Sequence, residues 1–253
     1  MVLTLSSERG WIGMAYNLLP PSRLTSRRTL KQFGTHIFYA EGEKTEPKYI
    51  NDMKMVIQNR YKMTASDMII VDTKSGGKNT LGLIKYAEKD VTRRIANKER
   101  IDHVWIFYDK DSFEPDKYDN SFHKVVSKNK KKYLNEDHDN CDKNYTRWHA
   151  LWSNECFELW ILLHFEYCQA SLRRESYIPK IDQHFKKCGC SINYEKNLSN
   201  LYQILEKHGS IRSAVRNAKK LNDELNNPLL KTNPSTGVFE LFEYFHKYLQ
   251  IEI

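Results

Sequence analysis

At 253 residues and 40% hydrophobic side chains, the chain is long enough to bury one sizeable core, and its 12% aromatic content excludes a disordered polymer. Forty lysines and arginines against 32 acids leave a net charge of +8 and a pI near 9.1. That balance favours polyanionic partners, nucleic acid ahead of a membrane surface, with a lysine-rich solvated surface as the plain alternative. No apolar run approaches the roughly 18 residues of a membrane-spanning helix, and five cysteines without a CxxC pair fit a reduced, cytoplasmic compartment.

Residues 1–31 read as a basic leader, disordered, with Arg23, Arg27, Arg28 and Lys31; Arg9 and Gly10 interrupt any secretory pattern, and Met14 is a second candidate start. Residues 35–41 predict a short buried strand, and Gly42 to Lys44 a loop. A helix follows from Thr45, its N-cap, to about Asn59, with Pro47 tolerated in the first turn. A second strand is predicted over 67–72. The loop after it holds Ser75-Gly76-Gly77-Lys78, which lacks the spacing of a nucleotide-binding P-loop. A polar helix spans 80–98. The continuous apolar run in 102–109 marks a strand covered on both faces. A basic helix over 116–132, a fourth strand over 145–152 and a mostly buried helix over 155–165 complete the alternation. Residues 177–250 read as helical, broken at Asn226–Pro228 and Asn233–Gly237, with no strand among them.

Strands alternating with helices predict an α/β fold with a mostly parallel sheet flanked by helices. Its core is 32–170, and 171–253 form a helical extension packed on that core.

The chemistry gathers at strand ends. In open α/β sheets, ligands bind beyond the carboxyl ends of the strands. The first strand ends in Glu41 and leads to Glu43 and Glu46; the third ends in Asp109 and Asp111, which period two places on one side. Carboxylates brought together repel unless a cation compensates, and Mg²⁺ or Mn²⁺ is the natural one. Taken alone, a D-x-D is more often a solvated loop or a helix cap. Two such clusters in the right order shift the balance toward a metal site.

Other residues are weighed against plainer roles. Glu158 lies in an apolar helix, so its carboxylate needs either a partner or a role as a further metal ligand. Glu155 suits a salt bridge or a helix N-terminus. His164 reads as a hydrogen-bonded core histidine, and Trp105, Trp152 and Trp160 as core. His184, Cys188 and Cys190 lack a fourth zinc ligand. Lys44, together with Lys124, Lys128, Lys130, Lys131 and Lys132, suits either a nucleic-acid groove or a solvated face.

Five stretches carry a resemblance. They are Glu41-Gly42-Glu43-Lys44-Thr45-Glu46-Pro47, Phe107-Tyr108-Asp109-Lys110-Asp111, Asn154 to Trp160 with His164-Phe165, the Ala214–Leu221 helix, and Asn233 to Val238. Together, over about residues 30–250, they resemble the RloB-like family of bacterial proteins, regarded as a divergent Toprim fold. The resemblance implies that Glu41 is the signature glutamate, that Asp109 and Asp111 are the aspartate pair, and that Glu46 is the second acid of the nuclease-type motif, one residue further from Glu41 than usual. It implies a Mg²⁺-dependent endonuclease of bacterial defence, working beside an ABC-type or SMC-like ATPase, with tRNA slightly favoured over DNA. A non-catalytic Toprim-like subunit that binds nucleic acid or an ATPase is the alternative. A topoisomerase or primase reading lacks the accompanying domains.

Overall fold

The computed structural model describes residues 33–61, 68–70, 79–110, 115–129, 145–224 and 233–253. Several expectations fall outside these residues: the leader, Met14, the Ser75–Lys78 loop, Asp111, Lys130, Lys131, Lys132, Cys141 and the break at Asn226–Pro228.

The chain alternates as the pattern predicts. Strand β1 (His36–Ala40) leads to helix α1 (Thr45–Tyr61), β2 (Met68–Ile70) to α2 (Thr80–Ala96), β3 (His103–Asp109) to α3 (Pro115–Val126), and β4 (Arg147–Asn154) to the short α4 (Glu158–Leu162). Helices α5 (Tyr177–Lys187), α6 (Leu201–His208) and α7 (Ile211–Glu224) follow, then a two-residue strand β5 (Ser235–Thr236) and α8 (Phe239–Leu249). The sheet order is β2-β1-β3-β4-β5; every pairing is parallel except the antiparallel contact of β4 with β5.

Period two sorts the sheet into two buried faces. Phe38, Ala40, Trp105, Phe107 and Leu151 pack with α1 and the helices from α4 onward, while Ile37, Tyr39, Val104, Ile106, Tyr108 and Ala150 pack with Leu83, Ile84, Ala87 and Val91 of α2 and with Val125 of α3. Cover on both faces is why β1 and β3 are almost wholly apolar. Some interior polar atoms are paired across elements: Tyr39 Oη donates to Asp90 (2.8 Å), which Arg93 and Arg94 also bind. Trp160 Nε1 donates to Tyr49 Oη at 3.1 Å.

Four expectations need correction. Helix α3 ends at Val126 rather than reaching 132. The helix expected over 155–165 is only Glu158–Leu162, because β4 runs on to Asn154 and the chain must bend before a helix can begin. Thr45 does not cap α1; it is the first helical residue, and its hydroxyl donates to the Lys196 carbonyl (2.8 Å). The Asn233–Gly237 break contains strand β5, held by side chains as much as by backbone. Thr236 Oγ1 donates to the Trp152 carbonyl at 3.0 Å, Gly237 N to the same carbonyl at 2.9 Å, and Trp152 Nε1 to Ser235 Oγ at 3.3 Å.

Candidate metal and phosphate cleft

The loop from Glu41 to Lys44 leaves the carboxyl end of β1 and enters α1. The bond from Glu41 N to the Phe107 carbonyl (3.0 Å) carries the β1–β3 ladder one residue past the strand. Lys110 N does the same for β3 and β4 through the Ser153 carbonyl (2.8 Å). Both acidic strand ends are therefore held by backbone bonds on adjacent strands.

They open on a cleft of about 310 Å³ lined by Glu41, Gly42, Glu43, Lys44, Thr45, Glu46, Asp109, Phe157, Glu158, Arg174 and Lys196. The structure thus brings together Glu41, Glu46, Asp109 and Glu158, with Lys44 exposed at the rim. Asp111 lies outside the described residues. Lys128 is elsewhere: its Nζ is 2.8 Å from Glu88 of α2 and 5.1 Å from the Trp148 ring centroid, and Lys124 shares Glu88 at 3.8 Å. Glu155 sits in the bend before α4 and does not line the cleft.

Each acid has a distinct environment. Glu41 accepts a bond from the Thr80 hydroxyl at 2.9 Å, and Thr80 is placed by the α2 N-terminus, where Asn79 caps Gly82 N. Asp109 is 2.7 Å from Arg174 Nη2. Glu158 is buried, accepts from Tyr194 Oη at 3.2 Å and has Lys196 Nζ at 3.7 Å, which answers its need for a partner. Glu46, 5% exposed in the first turn of α1, is the most perturbed. Burial pushes its carboxyl up to about 7. The Glu158 carboxylate acts in the same direction, while Glu46's own backbone N–H, Lys196 and Arg174 pull it down. Gly42 makes room for it: a Cβ at that position would lie 2.2 Å from Glu46 Oε2.

Three contributors escaped the sequence analysis. Arg174 precedes α5, and Tyr194 and Lys196 lie between α5 and α6, all in the segment read as a helical extension. Thr45 and Lys48 of α1 clasp that segment through the carbonyls of Lys196 and Asn197. The Arg173-Arg174 pair was a visible signal, but nothing in the periodicity assigns it to Asp109.

His164 is a core histidine. It is buried against the Trp160 carbonyl (2.9 Å), and burial lowers its imidazole to about 4. His184 pairs with Glu166 at 3.1 Å. Among the described residues, no three His, Cys, Asp or Glu side chains are already drawn around one point as a metal cage. No helix among them is long and apolar enough to cross a membrane.

No curated protein and no solved structure matches the chain. The model of the family described as RloB-like protein matches residues 37–245, a span that takes in the acidic strand ends, the cleft's cationic wall and β5. The chain belongs to the RloB-like family.

Proposed function

We propose that the chain is a Toprim-type, divalent-metal-dependent endonuclease, the effector of an anti-phage defence system that works with an ABC- or SMC-like ATPase. The observation that carries this reading is the convergence of Glu41, Glu46, Asp109 and Glu158 on one cleft at the carboxyl end of a parallel sheet. The donor set fits Mg²⁺ or Mn²⁺: all four are oxygen ligands, and a cation beside buried Glu46, whose carboxyl is raised to about 7, would favour its ionised form. Asp109, Glu41 and Glu46 would hold the ion, with Glu158 behind them; Asp111 joins them on the sequence pattern alone. Bound there, the ion supplies Lewis acidity and lowers the pKa of a bound water.

The chain's residues supply the rest. Glu41, oriented by Thr80, takes the proton of the attacking water. The new phosphorus–oxygen bond forms from that water as the bond to the leaving sugar oxygen breaks, and solvent protonates the leaving oxygen. Exposed Lys44 meets neighbouring backbone phosphates, contacts that position a nucleic acid without reading its sequence. Backbone recognition, and the lack of a groove-reading element among the described residues, lean the substrate toward a structured RNA such as tRNA, ahead of DNA.

One observation favours the second reading, a non-catalytic Toprim-like subunit that binds nucleic acid or an ATPase: Arg174 already neutralises Asp109. Purified protein incubated with tRNA, single-stranded DNA and duplex DNA, in Mg²⁺, Mn²⁺ or EDTA, separates the two. The nuclease reading expects metal-dependent cleavage of at least one substrate, lost in Asp109→Ala. Binding without cleavage, with or without the partner ATPase, leaves the second reading standing.

A further inference from the structure

We propose that Arg174 serves the cleft twice: as the counter-ion of Asp109 when no metal is bound, and as the anchor of the scissile phosphate once a divalent cation has displaced it. The proposal rests on the nuclease reading and adds a residue that comes from outside the acidic strand ends.

Three observations carry it. First, Arg174 Nη2 lies 2.7 Å from Asp109 Oδ2, in contact with the carboxylate that a metal would need. Guanidinium and dication compete for the same oxygens, and the two positive charges repel across so short a distance. Second, the arginine is reachable. Its side chain is 35% exposed against 16% for Asp109, and it heads a single turn, Arg174–Ser176, rather than a long helix. Arg174 lines the same cleft, so its guanidinium already borders the space a phosphate would enter. Third, the chemistry suits the destination. A guanidinium presents its donors as a planar fork that matches two phosphate oxygens, which an ammonium cannot do. Lys196 is the poorer candidate, because its ammonium is a point charge rather than a fork and it faces the buried Glu158 at 3.7 Å.

Metal and substrate therefore bind in order. The dication takes Asp109, Arg174 is released toward the mouth, and the incoming phosphodiester finds a fixed cation on one side and a mobile one on the other. Without metal, the arginine offsets the charge of Asp109 and is itself occupied by it.

The test uses the full chain and three variants, Arg174→Gln, Arg174→Lys and Asp109→Ala, with Mn²⁺ alone as the first probe, followed by calorimetry. Removing the competing cation should tighten Mn²⁺ binding about tenfold in Arg174→Gln, leave Arg174→Lys between it and wild type, and abolish binding in Asp109→Ala. With Mn²⁺ saturating, the KM of Arg174→Gln for the cleaved nucleic acid should rise by tenfold or more while kcat falls less, with partial rescue in Arg174→Lys. Wild type that binds Mn²⁺, with Arg174→Gln binding it equally or more weakly, overturns the counter-ion role and leaves the nuclease reading intact. Tighter Mn²⁺ binding with an unchanged KM overturns the phosphate role. Wild type that binds no Mn²⁺ overturns both this proposal and the reading beneath it.

Discussion

Glu46→Gln in metal-free protein gives the sharpest measure of how the cleft is built. Burial and the neighbouring Glu158 raise the Glu46 carboxyl from an ordinary 4.5 to about 7. At about 1.4 kcal/mol per pH unit, the difference is worth about 3 kcal/mol. The folded value lies above the unfolded one, so the associated stability is intact below about 4.5 and drains away as the pH rises to about 7. Above that it is fully lost, because the folded protein must then hold a buried charge. Glutamine keeps the shape and never ionises. In EDTA near pH 4.5 the two proteins should melt together; near pH 8 the variant should melt about 6–12 °C higher, from about 2–4 °C per kcal/mol for a chain of this size. Mn²⁺ should nearly close the gap at the higher pH. At a hundred times Kd it adds about 2.7 kcal/mol to wild type, and the variant, short of one ligand, gains less. Differential scanning calorimetry at two pH values, with and without Mn²⁺, is sufficient. A constant gap between the two proteins at both pH values would refute the claim that Glu46 is a strained acid awaiting a cation.

The other predictions concern neighbouring positions. Glu41→Gln should fold normally and bind nucleic acid, yet cleave about 10²-fold more slowly or worse, whereas exposed Glu43→Gln should stay within a few-fold of wild type; the reverse ranking in a cleavage time course would reassign the motif. Gly42→Ala places a Cβ 2.2 Å from the Glu46 carboxylate. The carboxylate must shift, and Mn²⁺ affinity measured by calorimetry should drop about 10–100-fold with little change in melting temperature. Gly237→Ala drives a Cβ to 2.5 Å from the buried Trp152 ring, which has nowhere to go. Denaturant unfolding should show a loss of about 1–3 kcal/mol, and an unchanged midpoint would mean that β5 does not sit tightly on β4.

The legible parts of this fold are those with a long, regular signal. Strand β3 announces itself through six consecutive buried residues, and the acids that end β1 and β3 stand at predictable strand termini. Beyond these, the sequence is silent for physical reasons. Strand β5 is two residues long, shorter than one period of alternation, and hydroxyl groups do much of its pairing. Helix α4 keeps the apolar composition of a longer helix, yet the bend that follows β4 takes up Glu155, Cys156 and Phe157, which would have formed its first turn. Lys128 lies in a basic run that suggested a groove, but a single acid, Glu88, fixes it on the other side of the sheet. Arg174 pairs with a residue 65 positions earlier, a contact that depends on where the extension lands rather than on any local pattern.

That landing makes the extension part of the site rather than an appendage. One continuous apolar cluster runs from Phe38, Trp105 and Phe107 of the sheet through Tyr49 and Trp160 to Tyr202, Phe242 and Phe245 of the later helices. Removing those helices would strip the cover from a sheet face rich in aromatic rings, at a cost no core of this size could absorb. The same packing fixes the segment that carries Arg174, Tyr194 and Lys196 against the start of α1 through Thr45 and Lys48. Five acids line one cleft and repel each other, and the α/β half contributes Lys44 only at the exposed rim. The helical half brings a cation to Asp109 and another to Glu158. The carboxylates can therefore be gathered before any metal arrives, because the extension neutralises what the sheet assembles. On the metal reading proposed above, a divalent ion would then have to displace only the cation on the more exposed acid, Asp109, while Lys196 stays with the buried Glu158. On the proposed reading, folding and metal loading would be separate steps of one electrostatic design, with Arg174 the group that passes from one to the other.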